Sequence, residues 1–385
     1  MALDWQQYSG KWNLQTQGQA LGAGTWTGIA TGELWTWGLG SSGQLGHGNT
    51  TTYSSPVQVG ALNTWAKIAV GGQFSLSVTT ENELWVWGYN AQGNLGTNNT
   101  TATSSPVQVG ALTTWLKVAA GGYHSLAIKT DGTLWGWGYN NSGQVGDGTT
   151  TIRSSPVQIG ALTTWLSISA GSYMSLALTT DGKLYAWGIN TNGQLGNGDT
   201  TNRSSPTQVG ALTTWDKISA GRGFTSATTT DGKLYAWGLN TNGQLGQGNT
   251  TNYSSPVQVG TLTTWSKVTT GNYHSVAIKT DGTLWGWGRN TNGELGQGNT
   301  TNYSSPVQVG ALTTWLETIA GQYHTVATTT AGTLYGWGRN NLGQLGNGDT
   351  TNRSSPTQVG ALTAWSVLAS GYAAQHVMAV RTEAT

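Results

Sequence analysis

Residues 123–138 read YHSLAIKTDGTLWGWG, and near-copies stand at 273–288 (YHSVAIKTDGTLWGWG) and 323–338 (YHTVATTTAGTLYGWG). Apolar residues in HSLAIKT (124–130) alternate with small or polar ones, the period-two pattern of a β-strand. Thr130-Asp131-Gly132 signals a tight turn, because Gly supplies a positive φ at no steric cost. TLWGW (133–137) reads as the next strand. WLKVAA (115–120) precedes the pair, and SPVQI (155–159) follows it, with a proline that is tolerated because it opens an edge strand. These four predicted strands are labelled A to D.

The unit recurs. Ser-Ser-Pro ends at prolines 56, 106, 156, 206, 256, 306 and 356, a spacing of 50 throughout, and these are all seven prolines of the 385-residue chain. Trp/Tyr-x-Trp-Gly closes at Gly38, Gly88, Gly138, Gly188, Gly238, Gly288 and Gly338. A further phrase, Gly-(Ala/Thr)-Leu-(Thr/Asn)-(Thr/Ala)-Trp, ends at seven tryptophans from Trp65 to Trp365. Eighteen of the 21 tryptophans belong to this template, so few remain for a private site. No stretch sustains a helical period. Four-stranded units at this spacing predict an all-β fold, a seven-bladed β-propeller of antiparallel blades. Trp135 and Trp137 then share one sheet face, while the residue between them faces the other way. That slot holds Thr36, Val86, Gly136, Ala186, Ala236, Gly286 or Gly336, never a bulky aromatic. Large against small across neighbouring sheets is core packing, with on the order of 200 Å² buried per tryptophan.

The two ends complement each other. The last unit supplies strands A and B from 365–382 and stops, and the first Trp-x-Trp-Gly arrives at 35–38 without a strand A before it. Blade seven is expected to take A and B from 365–382 and C and D from 33–59, which leaves no open sheet edge. TWTGIAT (25–31) is a rival for strand B. The propeller is assigned to residues 25–385. Residues 1–24 form an N-terminal arm whose Trp5, Tyr8 and Trp12 have no place in the template and are expected to serve assembly.

Composition narrows function. Only 8% of residues are charged and the net charge is +1, so no field steers nucleic acid or an anionic membrane. Cysteine is absent, which excludes thiolate metal sites. The start has no apolar run like a signal peptide's and no segment is long enough to span a bilayer. Asp131, Asp181, Asp231 and Asp281 occupy template turns, where a solvated turn outweighs acid–base work. Gly-x-Asn-x-x-Gly-Gln-Leu-Gly resembles a phosphate loop but lacks the following Lys-Ser/Thr and a helix. His124, His274 and His324 share one slot, which His376 reaches after a two-residue insertion. A ring spreads such residues apart, so a structural hydrogen bond fits them better than a metal. A loop such as Gly196-Asn197-Gly198-Asp199 leaves calcium open. The reading is a non-enzyme without cofactor.

With these residues in view, GGYHSLAIKTDGTLWGWGYN and NSGQVG resemble the regulator-of-chromosome-condensation repeat over roughly residues 25–382. Gly121, His124, Ser125, Gly132, Trp137, Gly138, Asn140, Gly143 and Gly146 fall at that family's positions. The resemblance implies a seven-bladed propeller and functions as diverse as nucleotide exchange on a small GTPase, ultraviolet sensing and β-lactamase inhibition. The exchange factor's wedge-like insertion has no room in an unbroken period of 50. The photoreceptor's Gly-Trp-Arg-His-Thr phrases are replaced by GGYHS, GNYHS and GQYHT, with Gly122, Asn272 and Gln322 where its Trp would stand. The lead-in WQQYSGKWNLQTQGQALGAGTWTG is similar to starts of bacteriophage tail-associated proteins.

Differences between copies point to a face. The A–B turn reads GGQF, GGYH, GSYM, GRGF, GNYH, GQYH and GYAAQH. The C–D loop varies at Leu39, Tyr89, Tyr139, Ile189, Leu239, Arg289 and Arg339, and again at Tyr53, Thr103, Arg153, Arg203, Tyr253, Tyr303 and Arg353. Both connections emerge on one side of an antiparallel blade, and Tyr and Arg are favoured at recognition hot spots. Phe74, Tyr123, His124, Tyr173, Met174, Arg222, Phe224, Tyr273, His274, Tyr323 and His324 are therefore expected to hold a partner around the channel mouth. The expected function is an interaction module, first as a bacteriophage virion appendage, tail fibre or adhesin on an extracellular surface, meeting a protein or glycan receptor. The alternatives are a regulatory or inhibitory protein that binds an enzyme or GTPase, and a structural decoration subunit.

Overall fold

The computed structural model describes residues 32–382, which form seven four-stranded antiparallel sheets and, among the described residues, no helix. In blade one, strand A is Trp65–Val70, B is Phe74–Thr79, C is Leu84–Gly88 and D is Thr103–Gln108. Blades two to six repeat this pattern along the chain. Blade seven is shared by the two ends: Trp365–Ala369 and His376–Arg381 are A and B, and Glu33–Gly38 and Tyr53–Gln58 are C and D. Glu33 lies opposite Arg381 and Gly38 opposite His376, the closure expected from the sequence. The arm (1–24) with Trp5, Tyr8 and Trp12, and the rival strand at 25–31, lie outside the described residues.

Strand A is innermost. Ile68–Val70 and the matching residues of the other blades line a narrow central channel of about 210 Å³. The core lies between blades. Trp115 and Trp137 of blade two pack on Leu76, Val86, Leu95 and Val109 of blade one, so the tryptophans meet the slot between the neighbour's own aromatics. In six blades the strand-A tryptophan meets both aromatics of the Trp/Tyr-x-Trp pair, as Trp115 does with Trp135 and Trp137 at 6.1 and 6.0 Å between centroids, and Trp165 meets Tyr185. The pairing of strands C and D is irregular at the tryptophan of Trp-Gly, between Gly136 and Gly138. Gly138 has φ near +100°, and a Cβ there would lie 2.6 Å from the Tyr123 carbonyl oxygen, so no other residue fits.

A hydrogen-bonded latch repeats at the blade joints. The Gln144 carbonyl oxygen in the C–D loop of blade two accepts from Trp187 Nε1 at 3.0 Å and from Ser175 Oγ at 2.7 Å, both in blade three. The ring closes the same way, with Trp37 Nε1 donating to the Gln344 oxygen at 3.0 Å. Blade seven has Val377 where the other blades have Ser or Thr, so its latch has no hydroxyl member.

Candidate functional site

The A–B turns are built on their first and fourth residues. Gly121 N donates to the His124 carbonyl at 2.9 Å, and the same closure recurs in blades one to six. A Cβ on Gly121 would lie 2.4 Å from His124 Cε1 and 2.7 Å from the Gly171 oxygen. The first turn residue must be Gly because the fourth side chain folds back beneath it.

This corrects the expected site. Phe74, His124, Met174, Phe224, His274 and His324 are sealed between blades rather than exposed at the mouth, each no more than 1% exposed. They begin strand B, whose first residue is covered by the next blade. The histidines are structural. His124 Nε2 meets Ser175 Oγ at 2.9 Å, His274 meets Thr325 Oγ1 at 3.1 Å, and His376 meets Ser75 Oγ at 3.0 Å. His324 has neither ring nitrogen hydrogen-bonded, and the slot that holds Ser or Thr beside the other histidines is Val377 in blade seven. Burial pushes His124, His274 and His376 down to about 3 and His324 to about 4. All four are neutral at physiological pH.

The middle turn residues point outward and meet. Tyr123, Tyr173, Arg222 and Tyr323 line a recess of about 310 Å³ at the channel mouth. C–D residues brace them from the side: Tyr89 packs edge-on to Tyr123 at 5.8 Å, and Tyr139 meets Tyr173 at 5.7 Å. The Arg222 guanidinium lies 5.0 Å from the Tyr273 ring and donates to its hydroxyl. Arg289 and Arg339 flank Tyr323 at 4.4 and 5.5 Å. Arg222 and Arg339 have no acidic partner within salt-bridge distance among the described residues, so the collar pairs aromatic surface with uncompensated positive charge. Arg289 lies 3.8 Å from the Glu294 carboxylate, whose pKa burial raises while Asn292 and Arg289 oppose the shift.

Tyr372 closes the recess from below. It lines both the mouth and the channel beneath it, and its side chain is buried. Its hydroxyl reaches across from blade seven to blade two, where a Cβ on Gly122 would lie 2.3 Å away. Burial raises its pKa well above the ordinary phenol value. The six-residue turn GYAAQH, longer by two residues than the other A–B turns, delivers this side chain.

The second variable C–D slot has a local explanation. Arg153, Arg203 and Arg353 each bind Asp147, Asp199 and Asp349 at 2.6 Å, whereas Tyr253 and Tyr303 accept from Asn249 and Asn299 at 3.0 and 3.1 Å. Arg accompanies Asp and Tyr accompanies Asn, so this variation is matched within the loop and carries no argument for a partner. Asp199 is engaged by Arg203 and by the Thr201 amide at 2.9 Å. Among the described residues no group of three or more His, Cys, Asp or Glu gathers to hold a metal. The amides of the glycine-rich loop are spent inward, Gly143 N on the Asn140 carbonyl and Val145 N on Asn140 Oδ1, both at 2.9 Å.

Family models match along the chain. A regulator of chromosome condensation RCC1-like domain covers residues 14–265, and the RCC1 repeat covers 281–328 and 331–380, with a second repeat model at 265–294. The chain belongs to the RCC1 repeat family. No curated relative matches it. Among solved structures it is similar to Prp20p from Saccharomyces cerevisiae, with 22% identity, a TM-score of 0.83 and 93% of each chain covered. The structure of Kap60 bound to yeast RCC1 (Prp20) matches at 22% identity and TM-score 0.81, over 92% of this chain and 90% of that one. Human WBSCR16 matches at 20% identity and TM-score 0.82, over 92% of this chain and all of its own. At these identities the likeness concerns the fold.

An RCC1-repeat propeller therefore presents one face with an aromatic, cationic collar around a floored recess. Sequence reasoning placed Tyr123, Tyr173, Arg222, Tyr273 and Tyr323 in this region and missed Tyr372, together with the bracing roles of Tyr89, Tyr139, Arg289 and Arg339. The signal for Tyr372 was the length of its turn, the only A–B turn to depart from four residues.

Proposed function

We propose that this RCC1-repeat propeller is a non-enzymatic regulatory module that holds a protein partner on its A–B/C–D face. The observation that carries the reading is the collar of Tyr123, Tyr173, Arg222 and Tyr323 around a recess floored by Tyr372, with Tyr273 packed against Arg222. Such a surface offers rigid aromatic anchors beside guanidinium groups, the residue types that dominate protein interfaces. Its uncompensated Arg222 and Arg339 favour a partner segment carrying carboxylates or backbone carbonyls. The yeast relative's structures name Kap60, Gsp1p and histones as proteins bound by a propeller of this architecture, which supports protein rather than small-molecule recognition. The virion-appendage reading draws on the lead-in WQQYSGKWNLQTQGQALGAGTWTG, which lies outside the described residues, and no comparison favours it.

The test is differential capture from an extract of the source cells. Arg222→Ala and Tyr273→Ala should each weaken retention of the same protein by about 1–3 kcal/mol. Thr214→Ala and Thr264→Ala, exposed on the opposite face, should retain it fully. Equal loss from both groups would reject this face as the binding surface.

A further inference from the structure

The central channel has unlike ends. Tyr372 closes it toward the mouth. At the other end each strand A begins with its tryptophan, and its third residue stands just before the stretch, Ile68–Val70 in blade one, that lines the channel. That third slot is lysine in four blades, at Lys67, Lys117, Lys217 and Lys267, and Ser167, Glu317 and Val367 fill it elsewhere. A chain with only 16 Lys and Arg thus places four of them in one slot of its innermost strand.

The lysine heads turn toward the open end. Lys117 Nζ donates to the Leu166 carbonyl at 2.5 Å and Lys267 Nζ to the Leu316 carbonyl at 2.7 Å. Each therefore reaches the second strand-A residue of the next blade, one step nearer the opening. Compensation by carboxylates is partial. Lys217 meets Asp216 at 2.9 Å and Lys267 meets Glu317, whereas Lys67 and Lys117 have no acidic partner within salt-bridge distance among the described residues. Burial lowers the pKa of Lys67, and burial together with the charges of Lys67 and Lys217 lowers that of Lys117. Ammonium groups two blades apart thus act on one another across the opening. Like charges gathered in this way oppose folding unless an anion offsets them. The blade joints do not require them, since Ser167 and Val367 occupy the same slot.

We propose that this rim is a binding site for a small polyphosphate, held at the channel opening by Lys67, Lys117 and Lys217. Lysine meets phosphate as a point charge, and several lysines around one opening suit a ligand that carries several negative charges. Ser167, between Lys117 and Lys217 in the ring, adds a hydroxyl donor. The channel encloses only about 210 Å³, and a net charge of +1 gives no long-range pull on nucleic acid, so a compact anion fits the site better than a polymer. The site is separate from the partner-binding face, with the channel and Tyr372 between them.

The experiment is a calorimetric titration of the full chain with tripolyphosphate at constant ionic strength, with thermal unfolding in parallel. One ligand per chain should bind and raise the unfolding midpoint. Lys67→Gln and Lys117→Gln should each weaken binding about ten-fold. Lys67→Gln relieves repulsion, so the midpoint of its ligand-free chain should be no lower than that of the unaltered protein. Lys183→Gln and Lys233→Gln, in B–C turns where these lysines pair with Asp181 and Asp231, should change affinity less than about two-fold. Unaltered affinity in both rim variants would overturn the proposal, as would an equal loss in the turn variants. So would citrate binding as tightly as tripolyphosphate, or binding of oligothymidylate but not of tripolyphosphate.

Discussion

The joint between blades six and seven offers a test whose sign depends on the latch. At the other joints a Ser or Thr at the second position of strand B donates to the preceding blade's loop carbonyl. Thr325 Oγ1, for example, donates to the Glu294 oxygen at 2.8 Å while meeting His274 Nε2 at 3.1 Å. Blade seven has the fully buried Val377 in that slot, and His324 is left without a partner. Val377→Thr keeps the side-chain shape and adds a hydroxyl between the Gln344 carbonyl and His324 Nε2. Two new hydrogen bonds at about 1 kcal/mol each, set against the desolvation of one hydroxyl, predict a net gain of about 1–2 kcal/mol. Thr325→Val removes both bonds at the neighbouring joint and should cost about 1–3 kcal/mol. Equilibrium urea unfolding, with the slope checked for constancy, reads both. If Val377→Thr lowers the midpoint, as burial of an unsatisfied hydroxyl would, or Thr325→Val leaves it unchanged, the latch does not hold the blades as described.

Three further outcomes follow from the same packing. Trp187→Ala empties a fully buried site and removes the bond to Gln144, so denaturant unfolding should show a loss of about 3–5 kcal/mol. Gly121→Ala forces a Cβ against His124 and the Gly171 carbonyl, and thermal unfolding should show a loss of about 1–3 kcal/mol without any change in φ being required. Acid should destabilise the ring early. His124, His274, His324 and His376 stay neutral when folded, down to about 3 or 4, but bind protons in the unfolded chain below about 6.5. Stability is therefore fully present above pH 6.5 and falls as pH drops below it, approaching roughly 5 kcal/mol per pH unit once all four unfolded imidazoles are charged. Unfolding midpoints measured at pH 7.5, 6 and 5 check this, and a flat profile would contradict the burial of these rings.

The ring was legible because each blade repeats the same packing problem. Trp137 must meet a small slot on its neighbour, so the alternation Trp-x-Trp with a small x exposes the sheet-on-sheet contact directly. The split blade was legible because strands A and B at 365–382 and strands C and D at 33–59 are each half a unit. The site was legible only as a region. Phe224 and Arg222 stand two positions apart in one four-residue turn, yet one is sealed under the next blade and the other is exposed. That difference comes from the closure of Gly221 on the Phe224 carbonyl, whose signature is the Gly that opens every A–B turn and says nothing of which later residue is folded beneath it. The Arg153–Asp147 pair was hidden for a related reason. Variation read copy by copy looks like diversity for a partner, whereas variation read with its hydrogen-bonding neighbour is a matched exchange. Tyr372 required knowing that a two-residue insertion turns inward across the channel rather than outward into solvent.

The most direct test of the binding face is site-specific photo-crosslinking in the source cells. A benzophenone amino acid is placed at Tyr173, beside the recess, or at Thr214, on the opposite face, in otherwise unaltered chains of confirmed fold. The account predicts a discrete adduct to one protein from position 173, reduced by a second change of Arg222→Ala, and none from position 214. The same adduct formed from position 214 alone, or with equal yield from both positions, would contradict it.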